Sequence, residues 1–172
     1  LKSLIPTTSL TVVQGGAHRQ DSVYAGMQVV SPQADLICIH DGVRPFVTKD
    51  LIKKAVHACE NHDGVVVAIP SRDTLKQVMG DQAIGTLDRS GIWQAQTPQV
   101  FSPGPLKEAM DIARKEQLQG TDEAALLERV GYQVGIVMGS PYNLKITTPE
   151  DWQLAEAIFN GRFHLKDDRG HE

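Results

Sequence analysis

Two short apolar runs, Leu36-Ile37-Cys38-Ile39 and Val65-Val66-Val67-Ala68-Ile69, carry no polar residue at alternate positions. A strand open to water on one side alternates apolar with polar, so unbroken runs of this length read as strands buried on both faces. Between them, behind a Thr48 suited to an N-cap, Leu51, Ile52, Ala55, Val56 and Cys59 recur at helical spacing. Upstream, Leu10-Thr11-Val12-Val13 reads as a short strand stopped by Gly15-Gly16, followed by a helix with Val23, Met27 and Val30 on one face. Strand, helix, strand, helix, strand in this order predicts an α/β fold with a mostly parallel sheet.

The rhythm changes from Asp73 to Thr97. Short β-like pieces at 75–78, 83–87 and 92–96, with Gly80-Asp81 as a turn, predict a β-hairpin arm at about 71–92 that projects from the main sheet. Helices resume behind Ser102-Pro103 and near Thr121, the latter ending at Gly131. A strand follows at Val134–Met138, then a last helix opened by Thr148-Pro149-Glu150-Asp151 that carries Trp152, Ala155, Ile158 and Phe159 toward the core. The tail from His164 is charged and expected to fray. Without repeat or linker, residues 1–172 read as a single domain with one excursion.

At 172 residues the chain can bury a core, and its 41% hydrophobic and 22% charged residues suit a soluble globular protein. A net charge of −4 argues against a nucleic-acid partner, which demands a basic face. No apolar run approaches the roughly 20 residues that cross a bilayer, so no membrane partner is expected. Cys38 and Cys59 lack CxxC spacing and read as buried reduced thiols of a cytoplasmic protein. The start on Leu1, with neither an initiator Met nor a signal peptide, reads as a processed, trimmed or incompletely recorded chain.

Ligands of open α/β sheets bind beyond the carboxyl ends of the strands, and three polar clusters fall there. Gly15-Gly16-Ala17-His18-Arg19-Gln20-Asp21-Ser22 lets backbone approach a base or phosphate, or is simply a turn. In His40-Asp41-Gly42-Val43-Arg44-Pro45, Asp41 and Arg44 suit a metal ion or ribose and an anion, or form a structural pair; His40 reads as a packed, hydrogen-bonded side chain. Lys145, in Asn143-Leu144-Lys145-Ile146-Thr147, precedes a helix N-terminus where phosphate is favoured, or is a solvated lysine; Thr148 reads as the cap. On the arm, Arg72, Thr74, Lys76 and Arg89 either protect a solvated edge or reach into another subunit's site. No Gly-x-Ser-x-Gly, activated Cys or GxGxxG is present, which leaves covalent catalysis and dinucleotide binding unsupported.

Taken in order, Val13-Gln14-Gly15-Gly16, Asp21-Ser22-Val23, His40 to Pro45, Arg72 to Lys76, Asp88-Arg89, Trp93 to Gln99, Thr121-Asp122-Glu123-Ala124 and Asn143 to Thr147 resemble the 2-C-methyl-D-erythritol 4-phosphate cytidylyltransferases of the non-mevalonate isoprenoid pathway. The resemblance runs from about Leu10 to Gly161. It implies a Rossmann-like nucleotidyltransferase fold (three-layer α/β/α), a homodimer joined through the arms, and CTP and methylerythritol phosphate as substrates, with Mg²⁺ or another divalent cation. It places Gly15, Gly16 and Ser22 at the cytosine, and Asp41 and Gly42 at the ribose and the substrate, with Asp41 as the candidate metal ligand. Lys145 would position the attacking phosphate, together with Thr74 and Arg89 of a partner's arm. Arg44, Thr97 and Thr121 correspond to further polar positions near the substrate. The catalytic set is thus Lys145, Arg89 and Asp41, in a bacterial cytoplasm or a plastid stroma.

Two departures stand out. Ala17 replaces an acidic residue that relatives can carry, which would remove one contact to the base. The family's Gly-rich loop, with the Arg and Lys that grip the triphosphate, would lie upstream of Leu1, so a segment without it is expected to turn over negligibly. The rival readings are a ribitol 5-phosphate cytidylyltransferase, which shares His-Asp-x-x-Arg-Pro and Thr-Pro-Gln, and a non-catalytic remnant of the fold. Asp73-Thr74-Leu75-Lys76, Asp88-Arg89 and Trp93 favour the methylerythritol enzymes, and the retained Asp41, Arg89 and Lys145 speak against a remnant.

Overall fold

A computed structural model of the chain describes residues 10–161. The tail from His164 and the segment around Leu1 lie outside the described residues. The elements in order are α1 (Arg19–Met27), β1 (Ile37–Ile39), α2 (Lys49–Ala58) with a 3₁₀ turn (Cys59–Asn61), β2 (Gly64–Pro70), β3 (Leu75–Met79), β4 (Gln82–Leu87), β5 (Trp93–Phe101), α3 (Pro103–Lys115), α4 (Glu123–Arg129), β6 (Val134–Met138) and α5 (Pro149–Phe159).

The main sheet has the order β1-β5-β2-β6. β2 and β6 are parallel, from Gly64 opposite Val134 to Ala68 opposite Met138. Both β1 and β2 run antiparallel to β5, so β1, β2 and β6 share one direction and β5 alone is reversed between β1 and β2. The valines of β2 explain the layering. Val65 and Val67 join Val100 and Leu51, Ala55 and Cys59 on one face. Val66 and Ala68 join Phe101, Leu106, Met110 and Leu127 on the other, with Val23, Tyr24 and Met27 of α1 packed alongside. Successive strand residues point to opposite sides, so an unbroken apolar strand requires cover on both. The result is α/β/α, with α2 on one side and α1, α3 and α4 on the other. Each fully buried Leu, Phe or Met contributes roughly 1.5–3 kcal/mol to holding these layers together.

The helix ends are set locally. Thr48 Oγ1 accepts from Leu51 N at 3.2 Å, and Asp122 Oδ1 from Ala125 N at 2.9 Å. Thr148 and Asp151 cap each other reciprocally at the start of α5. Ser102 occupies its cap position before Pro103 without a side-chain bond. Gly131, at φ +90°, ends the segment after α4 where a side chain would strain the backbone. β3 and β4 form a separate two-stranded sheet across the Gly80-Asp81 turn, the expected arm.

Several expectations are corrected. Leu10–Val13 forms no strand: no neighbouring strand among the described residues takes up its hydrogen bonds, and Val12 is 82% exposed. α1 ends at Met27, which leaves Val30 exposed in the following turn. Cys38 is exposed, because its short strand stands at the sheet's edge, whereas Cys59 is buried. Ile52 and Val56 border their helix's apolar stripe and stay partly open; Leu51 and Ala55 occupy its centre. The piece at 92–96 belongs to β5 of the main sheet and not to the arm. On α5, Ala155 and Ile158 are buried, but Trp152 and Phe159 are 57% and 83% exposed, as their positions turn away from that face.

Candidate active site

β1 ends at Ile39, and the chain leaves its carboxyl end through His40–Pro45 as a loop. The loop that follows β6 comes to lie beside it, because Ile146 N donates to Val43 O at 2.9 Å. This main-chain bond brings Lys145 to Asp41, with Nζ 3.2 Å from Oδ2. Arg19 approaches the other oxygen, its Nε donating to Oδ1 at 3.2 Å, and Arg44 Nε stands 3.6 Å from Oδ2. Burial opposes ionisation of Asp41, but the hydrogen bonds and charges of Lys145 and Arg19 outweigh it and hold the carboxyl below the usual range.

β5 supplies the floor. Thr97 Oγ1 accepts from Asp41 N at 3.0 Å and lies 3.0 Å from His40 Nδ1. His40 Nε2 lies 3.0 Å from the carbonyl of Arg44, which can only accept, so in neutral His40 the proton sits on Nε2 and Thr97 donates to Nδ1. The expected hydrogen-bonded histidine is present, fastening the Asp41 loop to β5. Arg44 Nη1 donates to Asn143 O at 2.7 Å, while Asn143 Nδ2 donates to Thr97 O at 2.8 Å. Gln99 Nε2 donates to Asp122 Oδ2 at 2.7 Å. Arg44 Nε, Gln99 Oε1 and Asn143 Oδ1 are buried without a hydrogen-bond partner, a concentration of unspent polar capacity typical of functional sites.

These groups surround a cavity of about 190 Å³ lined by Arg19, Asp41, Arg44, Ala95, Gln96, Thr97, Gln99, Thr121, Asp122 and Lys145. Five predicted site residues therefore meet in one place: Asp41, Arg44, Thr97, Thr121 and Lys145. A larger cavity of about 280 Å³ lies between the start of α1 and the end of α3, but no predicted site residue lines it. The polar reach of its Gln20 is already spent on Leu118 O and Gly120 N. The smaller cavity is the candidate site, because Lys145, Arg44 and Arg19 around it favour an anion.

The remaining predicted residues lie elsewhere. Gly15, Gly16 and Ser22 shape the turn before α1: Gly16 N donates to Ser22 Oγ at 3.1 Å. A Cβ on Gly16 would stand 2.2 Å from Asp21 Cβ, so only glycine permits this approach. Gly42 is exposed, and a Cβ there would meet nothing within 4 Å. Thr74 and Arg89 are on the arm and do not line the cavity of their own chain; Arg89 donates to Arg72 O. Among the described residues no group of three or more His, Cys, Asp or Glu is placed to hold a metal ion. Asp41 faces cations at both oxygens, and Asp122 is committed to Gln99 and Ala125, so these residues do not fit a resident metal.

Two side chains tied to the site escape a reading of the sequence. Arg19 joins Asp41 to Glu123, whose two oxygens both accept from its Nη1 at 2.8 and 2.7 Å. Glu123 is 1% exposed. Burial pushes its carboxyl up, while Arg19 works the other way. The one sequence signal was the placement of both within motifs, without a role.

The family model of 2-C-methyl-D-erythritol 4-phosphate cytidylyltransferase (IspD) matches residues 1–161. Curated proteins of that name from Geotalea uraniireducens and Geobacter metallireducens are each 47% identical, over 149 and 151 residues. The match covers 86% of this chain in both cases, and 64% and 65% of the relatives. The chain thus spans somewhat under two thirds of the length of the curated relatives it matches. Among solved structures, the cytidylyltransferase of Thermus thermophilus superposes with a TM-score of 0.81 at 35% identity, covering 86% of this chain and 72% of that one. The 4-diphosphocytidyl-2C-methyl-D-erythritol synthase of Anaerococcus prevotii gives 0.83 at 29% identity, over 92% and 75%.

Proposed function

This chain belongs to the 2-C-methyl-D-erythritol 4-phosphate cytidylyltransferase family, and on that premise we propose that the natural protein transfers CMP from CTP to 2-C-methyl-D-erythritol 4-phosphate. A phosphate oxygen of the polyol attacks the α-phosphorus of CTP. The bond from that phosphorus to the bridging oxygen of the departing diphosphate breaks, and pyrophosphate leaves with the electron pair. The product is CDP-methylerythritol, an intermediate of non-mevalonate isoprenoid synthesis. In-line transfer of this kind demands alignment and charge neutralisation and no covalent intermediate.

The observation that carries this reading is the convergence of Lys145, Arg44 and Arg19 on Asp41 in the cavity wall. On this reading Lys145, whose side chain is 44% exposed, turns from Asp41 to the attacking phosphate. Asp41 and Gly42 then face the ribose and substrate, and Gly15, Gly16 and Ser22 the cytosine. Thr97, Thr121 and Arg44 complete the polar wall. CTP would enter as its magnesium complex, so the metal is part of the substrate, and Asp41 is the carboxylate that would meet it once Lys145 has turned away. Thr74 and Arg89 act across a homodimer. Val78, Met79, Ile84 and Leu87 are exposed on the arm, apolar surface that a second copy would cover. We further assign residues 1–172 to one domain with the arm as its dimerisation element. A bacterial cytoplasm or plastid stroma suits this chemistry, and no helix of the described residues is long and apolar enough to cross a membrane.

The test is CTP-dependent pyrophosphate release by the natural protein, with methylerythritol phosphate and ribitol 5-phosphate in competition. Methylerythritol phosphate is expected to be the preferred acceptor. Lys145→Ala is expected to lower kcat/KM about 10²–10³-fold, the scale of losing one group that stabilises developing charge. Preference for ribitol 5-phosphate, or full turnover by Lys145→Ala, would reject the assignment.

A further inference from the structure

Glu123 does not line the cavity, yet it is tied to Asp41, a carboxylate that does, through one side chain. It is the first residue of α4, and Arg19 is the first residue of α1, so both are carried on helix backbones. The Nη1 of Arg19 serves both oxygens of Glu123, and its Nε serves Asp41 Oδ1. We propose that Arg19, anchored by Glu123, is the positioning residue for Asp41, holding Oδ1 so that Oδ2 alone is offered to the cavity. The inference rests on the functional reading above and adds to it a residue that orders the site.

Two arguments support it. A buried carboxylate is costly to keep, and apolar residues of similar size join two helices at least as well as a buried ion pair. The charge on Glu123 is therefore accounted for by what Arg19 does at its other nitrogen. The second argument is the asymmetry of Asp41. Oδ2 faces Lys145, an exposed and mobile class of side chain that a phosphate can draw away, with Arg44 Nε beyond hydrogen-bond reach at 3.6 Å; Oδ1 is hydrogen-bonded by Arg19, which is pinned from behind. When Lys145 changes partner, Arg19 keeps the carboxylate in place.

The decisive variant is the double replacement Arg19→Met with Glu123→Leu in the natural protein. Asp41 keeps Lys145 and Arg44 as partners, so apolar substitution of the pair is expected to leave Tm close to the parent's. The kcat for CDP-methylerythritol formation is expected to fall about a hundredfold, the scale of a 1 Å misplacement at a reacting centre. A folded double variant that retains the parent's kcat overturns the proposal. If the double variant does not fold, Arg19→Lys decides. Its ammonium preserves the pairing with Glu123 but lacks the planar fork that spans two carboxylates, so kcat is expected to drop about tenfold or more, with a smaller change in KM. Unaltered kcat overturns the proposal. A parent with no cytidylyl transfer defeats the functional reading separately. Crystal structures then answer for Arg19: Asp41 turned away from Lys145 in Arg19→Lys supports the role, and Asp41 unmoved overturns it.

Discussion

Asp41 remains charged in a half-buried place because Lys145 and Arg19 hydrogen-bond to it and Arg44 adds a third positive charge nearby. Its folded-state pKa is depressed, so its contribution to stability is complete above the ordinary aspartate value near ~3.9 and fades as pH falls through the lower folded value. Asp41→Asn leaves Lys145 and Arg44 without their counter-ion and Arg19 with Glu123 alone at pH 7, and is expected to lower Tm there. As the solution is acidified past the folded pKa the parent also becomes neutral at this position, and the two melting curves should draw together. A gap in Tm that stays constant from pH 7 to pH 3 would contradict the assignment of charge. At this scale much of the site was legible. Asp41, Arg44 and Lys145 lie in loops that follow strands, where a polar side chain beside an apolar run is conspicuous, while Thr97 on β5 and Thr121 before α4 were reached through the family resemblance. Arg19 and Glu123 were not legible, because 104 positions separate them and only the folded chain makes them partners.

Individual elements follow local chemistry closely where one rule governs. Thr48, Asp122 and Thr148 cap helices as their identities demand, and Thr48→Ala is expected to cost about 1 kcal/mol in chemical denaturation. β5 was the difficult element. Gln94, Gln96, Thr97, Pro98 and Gln99 break any apolar pattern, and proline inside a central strand lacks the ladder's N–H. Yet β5 is the strand between β1 and β2, with its register against β2 shifting between Val66 and Ala68. Gln96, Thr97 and Gln99 are buried because they build the cavity floor, a purpose that no periodicity encodes. Close packing beside it yields a second expectation. A Cβ on Gly64 would stand 2.5 Å from the ring of fully buried Phe101. Gly64→Ala should destabilise the fold by about 1–3 kcal/mol, as overpacking does, read from the denaturation midpoint. Leu10–Val13 marks the opposite failure: strand-like residues do not make a strand where no partner strand lies beside them among the described residues.

For the molecule as a whole, the arm separates one set of proposed site residues from another. Thr74 and Arg89 stand on β-hairpin surroundings of their own, while Asp41 and Lys145 lie against the main sheet. If the arm completes a partner's site, Arg89→Ala and Lys145→Ala proteins, each inactive, should complement when mixed. One intact site per mixed dimer, with half the dimers mixed, gives about a quarter of the parental rate for a twofold assembly. Mixed dimers without recovered turnover would place both residues in the same site.

The join between Val43 and Ile146 is made peptide to peptide, and so is indifferent to which side chains those residues bear. Point substitutions at either position should therefore drift with little penalty to the spacing of the neighbouring acid and base. Adding or deleting a single residue in either loop would shift the donor past its acceptor and uncouple the two. Length, more than spelling, is what this seam demands.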